Sequence, residues 1–112
     1  MRIEILREAE QDLREGFEFY EGQCEGLGEE FLDSVFADIE SLHTYAGIHS
    51  IHFGYHRLLA KRFPFAVYYR VEEAVVRVFA VLDCRRNPIR AQQRLSGAQG
   101  TLTPPLSRGE KE

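Results

Sequence analysis

The chain has no tryptophan, one methionine, four prolines and two cysteines in 112 residues. Two cysteines, Cys24 and Cys84, make no disulfide framework, so a reducing cytosol is the expected compartment. No apolar run approaches the ~18 residues of a membrane span. The start, Met1-Arg2-Ile3-Glu4, lacks the apolar core of a signal peptide, and neither a membrane anchor nor secretion is expected. A P-loop, a dinucleotide-binding glycine fingerprint and a Gly-x-Ser-x-Gly elbow are all missing, so the common nucleotide and hydrolase chemistries have no motif to rest on. What is present is a core: eight Phe and five Tyr argue against a chain disordered throughout, and the length suits one domain.

The net charge of −4 argues against a nucleic-acid partner, but it averages two opposite halves. Residues 1–54 carry 3 basic and 13 acidic side chains, a net of −10. Residues 55–97 carry 9 basic and 3 acidic, a net of +6, and residues 98–112 are balanced. Electrostatics therefore has to be considered region by region.

Arg2 to Leu6 alternates and predicts a short strand. From Arg7 the period changes: Ala9, Leu13, Phe17, Tyr20 and Cys24 line one face of a helix. Gly22 and Gly26-Leu27-Gly28 mark a joint, after which Leu27, Phe31, Val35, Ile39 and Leu42 form the stripe of a second helix, widened by Leu32 and Phe36. Ala46 to Gly54 has no clear period. Tyr55–Phe63, Phe65–Val71 and Val75–Cys84 read as strands of an antiparallel meander, with Phe63-Pro64 as one break and Glu72-Glu73 as the turn. Pro88 opens a final helix that stops near Gly97, and 98–112 reads as a disordered tail outside the 1–97 domain. The order β-α-α-β-β-β-α is an α+β domain, a helical hairpin packed on a small, mostly antiparallel sheet.

Among residues able to carry chemistry, His43, His49, His52 and His56 lack a matching set of further ligands and read as loop and strand-edge histidines, so no metal or cofactor is expected. Cys84 lacks a Cys-His-acid pattern and reads as a buried or half-buried structural thiol. Glu8, Glu15, Glu18, Glu29, Glu30, Asp33 and Glu40 read as the solvated outer face of the helices. The basic set is more informative. Arg57, Lys61 and Arg62 on one strand, Arg70 and Arg77 on the next two, and Arg85, Arg86, Arg90 and Arg94 beyond them can converge, because neighbouring strands lie ~4.8 Å apart. Arg57 and Lys61 are expected on one face and Arg62 on the other.

An ordered series of short stretches resembles the RelE/ParE superfamily, the toxin halves of bacterial type II toxin–antitoxin pairs, and more closely its ParE-like branch. These are Ala9-x-x-Asp12-Leu13, Phe19-Tyr20-Glu21, Gly26-Leu27-Gly28-x-x-Phe31, Arg57-x-x-x-Lys61-Arg62-Phe63-Pro64-Phe65, Val67-Tyr68-Tyr69-Arg70-Val71, Val78-Phe79-Ala80-Val81 and Arg85-Arg86-Asn87-Pro88. The resemblance implies a growth-inhibitory, plasmid-stabilising protein of the bacterial cytoplasm, neutralised by a small antitoxin. It leaves two targets: messenger RNA in the ribosomal A site for the RelE-like branch, DNA gyrase for the ParE-like one.

Against the ribonuclease pattern, Arg57 matches one basic position and Arg85 or Arg86 another. Leu59 and Ala66 replace a lysine and an arginine of that pattern, and no tyrosine follows Tyr69. The expectation is therefore a gyrase-binding toxin that leans away from being an enzyme. The alternatives are a rearranged endoribonuclease using Arg57, Lys61, Arg62, Arg85 and His56, or an inactive relative that keeps only antitoxin binding. In every case Arg57, Lys61, Arg62, Arg70, Arg77, Arg85 and Arg86 are the expected target- or antitoxin-binding residues. The basic sheet should then receive an acidic carboxylate of the partner.

Overall fold

The computed structural model describes residues 1–101 of the chain. Its elements are β1 (Arg2–Ile5), α1 (Arg7–Gln23), α2 (Leu27–Glu40), α3 (Leu42–Tyr45), β2 (Ile51–His52), β3 (Tyr55–Leu59), β4 (Phe65–Glu72), β5 (Val75–Asp83) and α4 (Pro88–Thr101). The α+β arrangement expected from the periodicities is the one observed. One-turn α3 and two-residue β2 lie in the stretch without a period, and β3 stops at Leu59 instead of continuing to Phe63. Helix α4 continues past Gly97 to Thr101; the rest of the expected tail, 102–112, lies outside the described residues.

The sheet order is β1-β5-β4-β3-β2, with β1 parallel to β5 and every other pair antiparallel. Opposite the Tyr68/Tyr69 step the register jumps from Ala80 to Val78, leaving Phe79 as an extra residue in β5. This bulge turns Phe79 and Ala80 toward the same side. Val76, Val78 and Val81 face the helices, where they pack with Ala9, Leu13, Phe31, Val35 and Ile39. The opposite side carries a second, smaller core of Tyr55, Ala66, Tyr68, Phe79 and Ala80, onto which α4 sets Leu95.

The hairpin of α1 and α2 is held by two reciprocal close contacts. A methyl built on Gly16 would lie 2.5 Å from the Phe31 ring, and one on Gly28 would lie 2.8 Å from the Phe17 carbonyl oxygen. Each helix thus gives up a side chain where the other inserts an aromatic ring. At the joint, the Glu21 carboxylate accepts the backbone N–H groups of Gly26 and Gly28 at 3.0–3.1 Å. Gly26 stands at the N-cap of α2 without a side chain, so Glu21 supplies from α1 the acceptor that the first turn of α2 requires.

The β4–β5 turn is Glu73-Ala74, both at positive φ (52° and 65°), between the paired residues Glu72 and Val75. A two-residue hairpin of this hand favours Asn-Gly, and an L side chain there costs about 1–2 kcal/mol. Ala74→Gly is therefore expected to stabilise the fold by about 0.5–1 kcal/mol after the entropic cost of glycine, a rise of a few degrees in Tm by calorimetry. An unchanged or lower Tm would show that the turn holds no such strain.

Candidate functional site

Alternation along β3 sends Tyr55 and Arg57 to the face away from the helical hairpin and His56 and Leu58 toward it. Arg57 there lies opposite Tyr68 of β4 and enters a cleft of about 380 Å³. The cleft runs between the end of β5, the start of α4 and the flank of α1. Phe19, Phe53, Tyr68, Arg86 and Arg90 contribute to its walls. The Arg57 Nε is buried without a hydrogen-bond partner. Burial raises the Tyr68 phenol above its ordinary value, and the neighbouring Arg57 guanidinium opposes that shift.

The back of the cleft is an ion pair. Asp12, 8% exposed, accepts both arms of the Arg94 guanidinium at 2.8 Å and the Val81 backbone N–H at 3.0 Å. Loss of water lifts the Asp12 carboxyl above its usual range despite Arg94 and the Val81 amide, which pull it down. Through this fork α4 is tied to both α1 and β5. Asp83, at the cleft mouth, is held below the usual carboxylate range by Arg85, whose guanidinium donates to it at 2.9 and 3.0 Å.

The basic residues expected to converge do so only in part. Arg57 and Arg86 line the cleft, joined by Arg90, which lies outside the expected binding set. Arg85 is occupied by Asp83. Arg70 lies over the Tyr55 ring at 4.2 Å and donates to the Gly54 carbonyl. Arg77 is held between Glu4 and Glu72 at 3.1 and 2.8 Å. Lys61 and Arg62 follow the end of β3 and lie beside α2: the Lys61 backbone N–H donates to Asp38, and Arg62 pairs with Glu30. Arg57 and Lys61 therefore do not share one strand face, because the strand ends between them.

His56 is stacked on Tyr69, with ring centroids 5.1 Å apart, and its Nδ1 meets the His49 carbonyl. It stands on the opposite side of the sheet from Arg57. The Tyr69 hydroxyl accepts the Gly47 N–H and meets His49 Nδ1 at 2.5 Å. Burial, then the nearby His56, lowers the His49 value and favours its neutral ring. These two histidines, expected as loop and strand-edge groups, are half-buried partners of one tyrosine. Cys84 departs from expectation in the other direction: it is exposed at the cleft. Desolvation nevertheless raises its thiol, which disfavours the nucleophilic thiolate.

Among the described residues, no group of three or more His, Cys, Asp or Glu side chains is placed to hold a metal ion. No helix among them is long and apolar enough to cross a membrane. The cleft can offer planar cations and aromatic walls. Its described carboxylates are engaged: Asp12 by Arg94, Asp83 by Arg85, and Glu15 by Gln11.

The model of the family "ParE toxin of type II toxin-antitoxin system, parDE" matches residues 3–88. A solved structure of the chromosomal ParDE TA system from P. aeruginosa superposes with a TM-score of 0.62 at 22% sequence identity, covering 72% of this chain and 92% of that one. That likeness is one of fold. No curated protein matches. The family match takes in every element from β1 to the first residue of α4, and with it most of the cleft. The chain belongs to the ParE toxin family of type II toxin–antitoxin systems.

Proposed function

We propose that this toxin arrests growth by binding and inhibiting DNA gyrase, without bond-breaking chemistry of its own, and that a small antitoxin protein neutralises it. Membership of the ParE family supports the target. The observation carrying the non-enzymatic part is the separation of His56 from Arg57. In-line RNA cleavage needs a proton acceptor beside the cations that hold the phosphate, and arginine, with a pKa above ~12, is a poor one. His56 stands across the sheet, and the cleft carboxylates already have partners.

Induction in cells without antitoxin should stop growth and switch on the DNA damage response, with transcripts intact by primer extension. Purified protein should inhibit supercoiling by gyrase. Site-specific messenger RNA cleavage instead would favour the ribonuclease alternative, with the cleft arginines Arg57, Arg86 and Arg90 on the phosphate in place of the expected set of Arg57, Lys61, Arg62 and Arg85. Normal growth with a folded protein would point to a relative retaining only antitoxin binding.

A further inference from the structure

From the chemistry of the cleft we infer that it is a socket for an acidic peptide segment of a protein partner, seating a carboxylate side chain with an aromatic one beside it. The inference rests on the reading of this chain as a protein-binding toxin and names what its cleft recognises.

The first support is the distribution of the arginines. Arg62, Arg77, Arg85 and Arg94 are each paired with a carboxylate of the chain, and Arg70 is laid on a ring. Of the other described arginines without an ion-pair partner, Arg57, Arg86 and Arg90 share one cavity, while Arg7 and Arg14 lie on α1 outside it. The second is the Arg57 Nε, buried without an acceptor. With Nε shielded, the terminal N–H groups of the Arg57 guanidinium are what this residue, as part of the cleft lining, can offer a ligand oxygen. The guanidinium fork suits a planar carboxylate.

The walls say what accompanies the anion. Phe19, 48% exposed, and Tyr68 offer apolar surface to a flat side chain. Phe53 adds a third ring from the β2–β3 turn, where it takes φ 59°, a conformation phenylalanine rarely adopts. The cleft is also only mildly cationic, because Asp12, Glu15 and Asp83 line it. A phosphate dianion or a nucleic-acid strand would bring more negative charge against those carboxylates than one carboxylate side chain does. Protein, not RNA, is the favoured source of the anion.

The test is an NMR titration of the full chain, following arginine Nε–H signals. The probes are a short capped peptide carrying Glu-Phe-Glu, its Gln-Phe-Gln and Glu-Ala-Glu counterparts, inorganic phosphate and a short single-stranded RNA. The Glu-Phe-Glu peptide should shift the signals of Arg57, Arg86 and Arg90 and saturate. The Gln-Phe-Gln peptide, the Glu-Ala-Glu peptide and the Arg57→Gln variant should each weaken binding about tenfold, and Arg7→Gln on the outer face of α1 should not. If Arg57→Gln unfolds, the Arg86→Gln, Arg90→Gln double variant serves in its place. Equal binding of the Gln-Phe-Gln peptide, tighter binding of phosphate or RNA, or no binding by Glu-Phe-Glu would each overturn the socket. Growth arrest and gyrase inhibition that persist alongside such a result would leave the functional reading intact.

Discussion

Phe31→Ala is expected to destabilise the protein by about 3–5 kcal/mol, measured by urea denaturation. The ring is fully buried where the two layers of the fold meet, with Tyr20, Phe63 and Phe65 at centroid distances of 5.2, 5.4 and 4.9 Å. A domain of this size has about 5–15 kcal/mol in total, so the variant should stand near the edge of folding. The ring also rests on Gly16, which sets up a second measurement. Gly16→Ala alone should cost about 1–3 kcal/mol even though alanine is the better helix former, because the ring, wedged among three others, cannot yield. In the Phe31→Ala background the same methyl enters vacated space, and the double variant should lose less than the sum of the singles. Simple additivity would mean that Phe31 is not seated on Gly16.

The Asp12–Arg94 fork yields the other large effect. Arg94→Met strands a carboxylate that is 8% exposed and should cost about 3 kcal/mol. Asp12→Asn should cost less, since the Arg94 side chain is already 29% exposed and opens onto the cleft. Replacing both by apolar residues should recover much of the loss, as desolvation is the largest influence on Asp12. The pH dependence follows in sign. Burial holds the folded carboxyl above its unfolded value of 3.8, and removing Arg94 raises it further. The folded form then keeps a proton that the unfolded chain releases. That contribution is fully present below the unfolded value and is lost as pH rises through the folded one. Arg94→Met should therefore be less stable at neutral than at mildly acidic pH by more than the parent is. A stability difference between the two proteins that is flat with pH would refute the stranded carboxylate.

Periodicity made most of the scaffold legible. Leu13 and Tyr20 on α1, and Phe31, Val35 and Ile39 on α2, are buried as their spacing requires, and β5 shows the expected run of β-branched and aromatic residues. The ordered motifs likewise pointed to the right superfamily. What escaped was whatever is defined by a partner far along the chain. Strand β2 is two residues long and exists because Ile51 and His52 pair with β3; nothing in its own pattern announces it. The sum of +6 did not say which arginines were free, because that depends on carboxylates elsewhere: Glu4 meets Arg77 and Asp12 meets Arg94 across most of the chain. Arg90 and Arg94 share the i,i+4 spacing of one helix face and both line the cleft, yet Arg94 is locked to Asp12 while Arg90 has no ion-pair partner among the described residues. Lys61 shares a face with Arg57 only on an unbroken strand, and β3 ends at Leu59.

The parallel seat of β1 on β5 has a consequence for the order of assembly. Arg2 aligns with Val75 and Ile5 with Val78, so β1 has no neighbour in the sheet until β5 has been made. The helical hairpin, whose contacts are local, is free to form in the interval. The edge of the sheet is then closed by residues made well before its neighbour, and the described sheet is complete only once β5 has been synthesised.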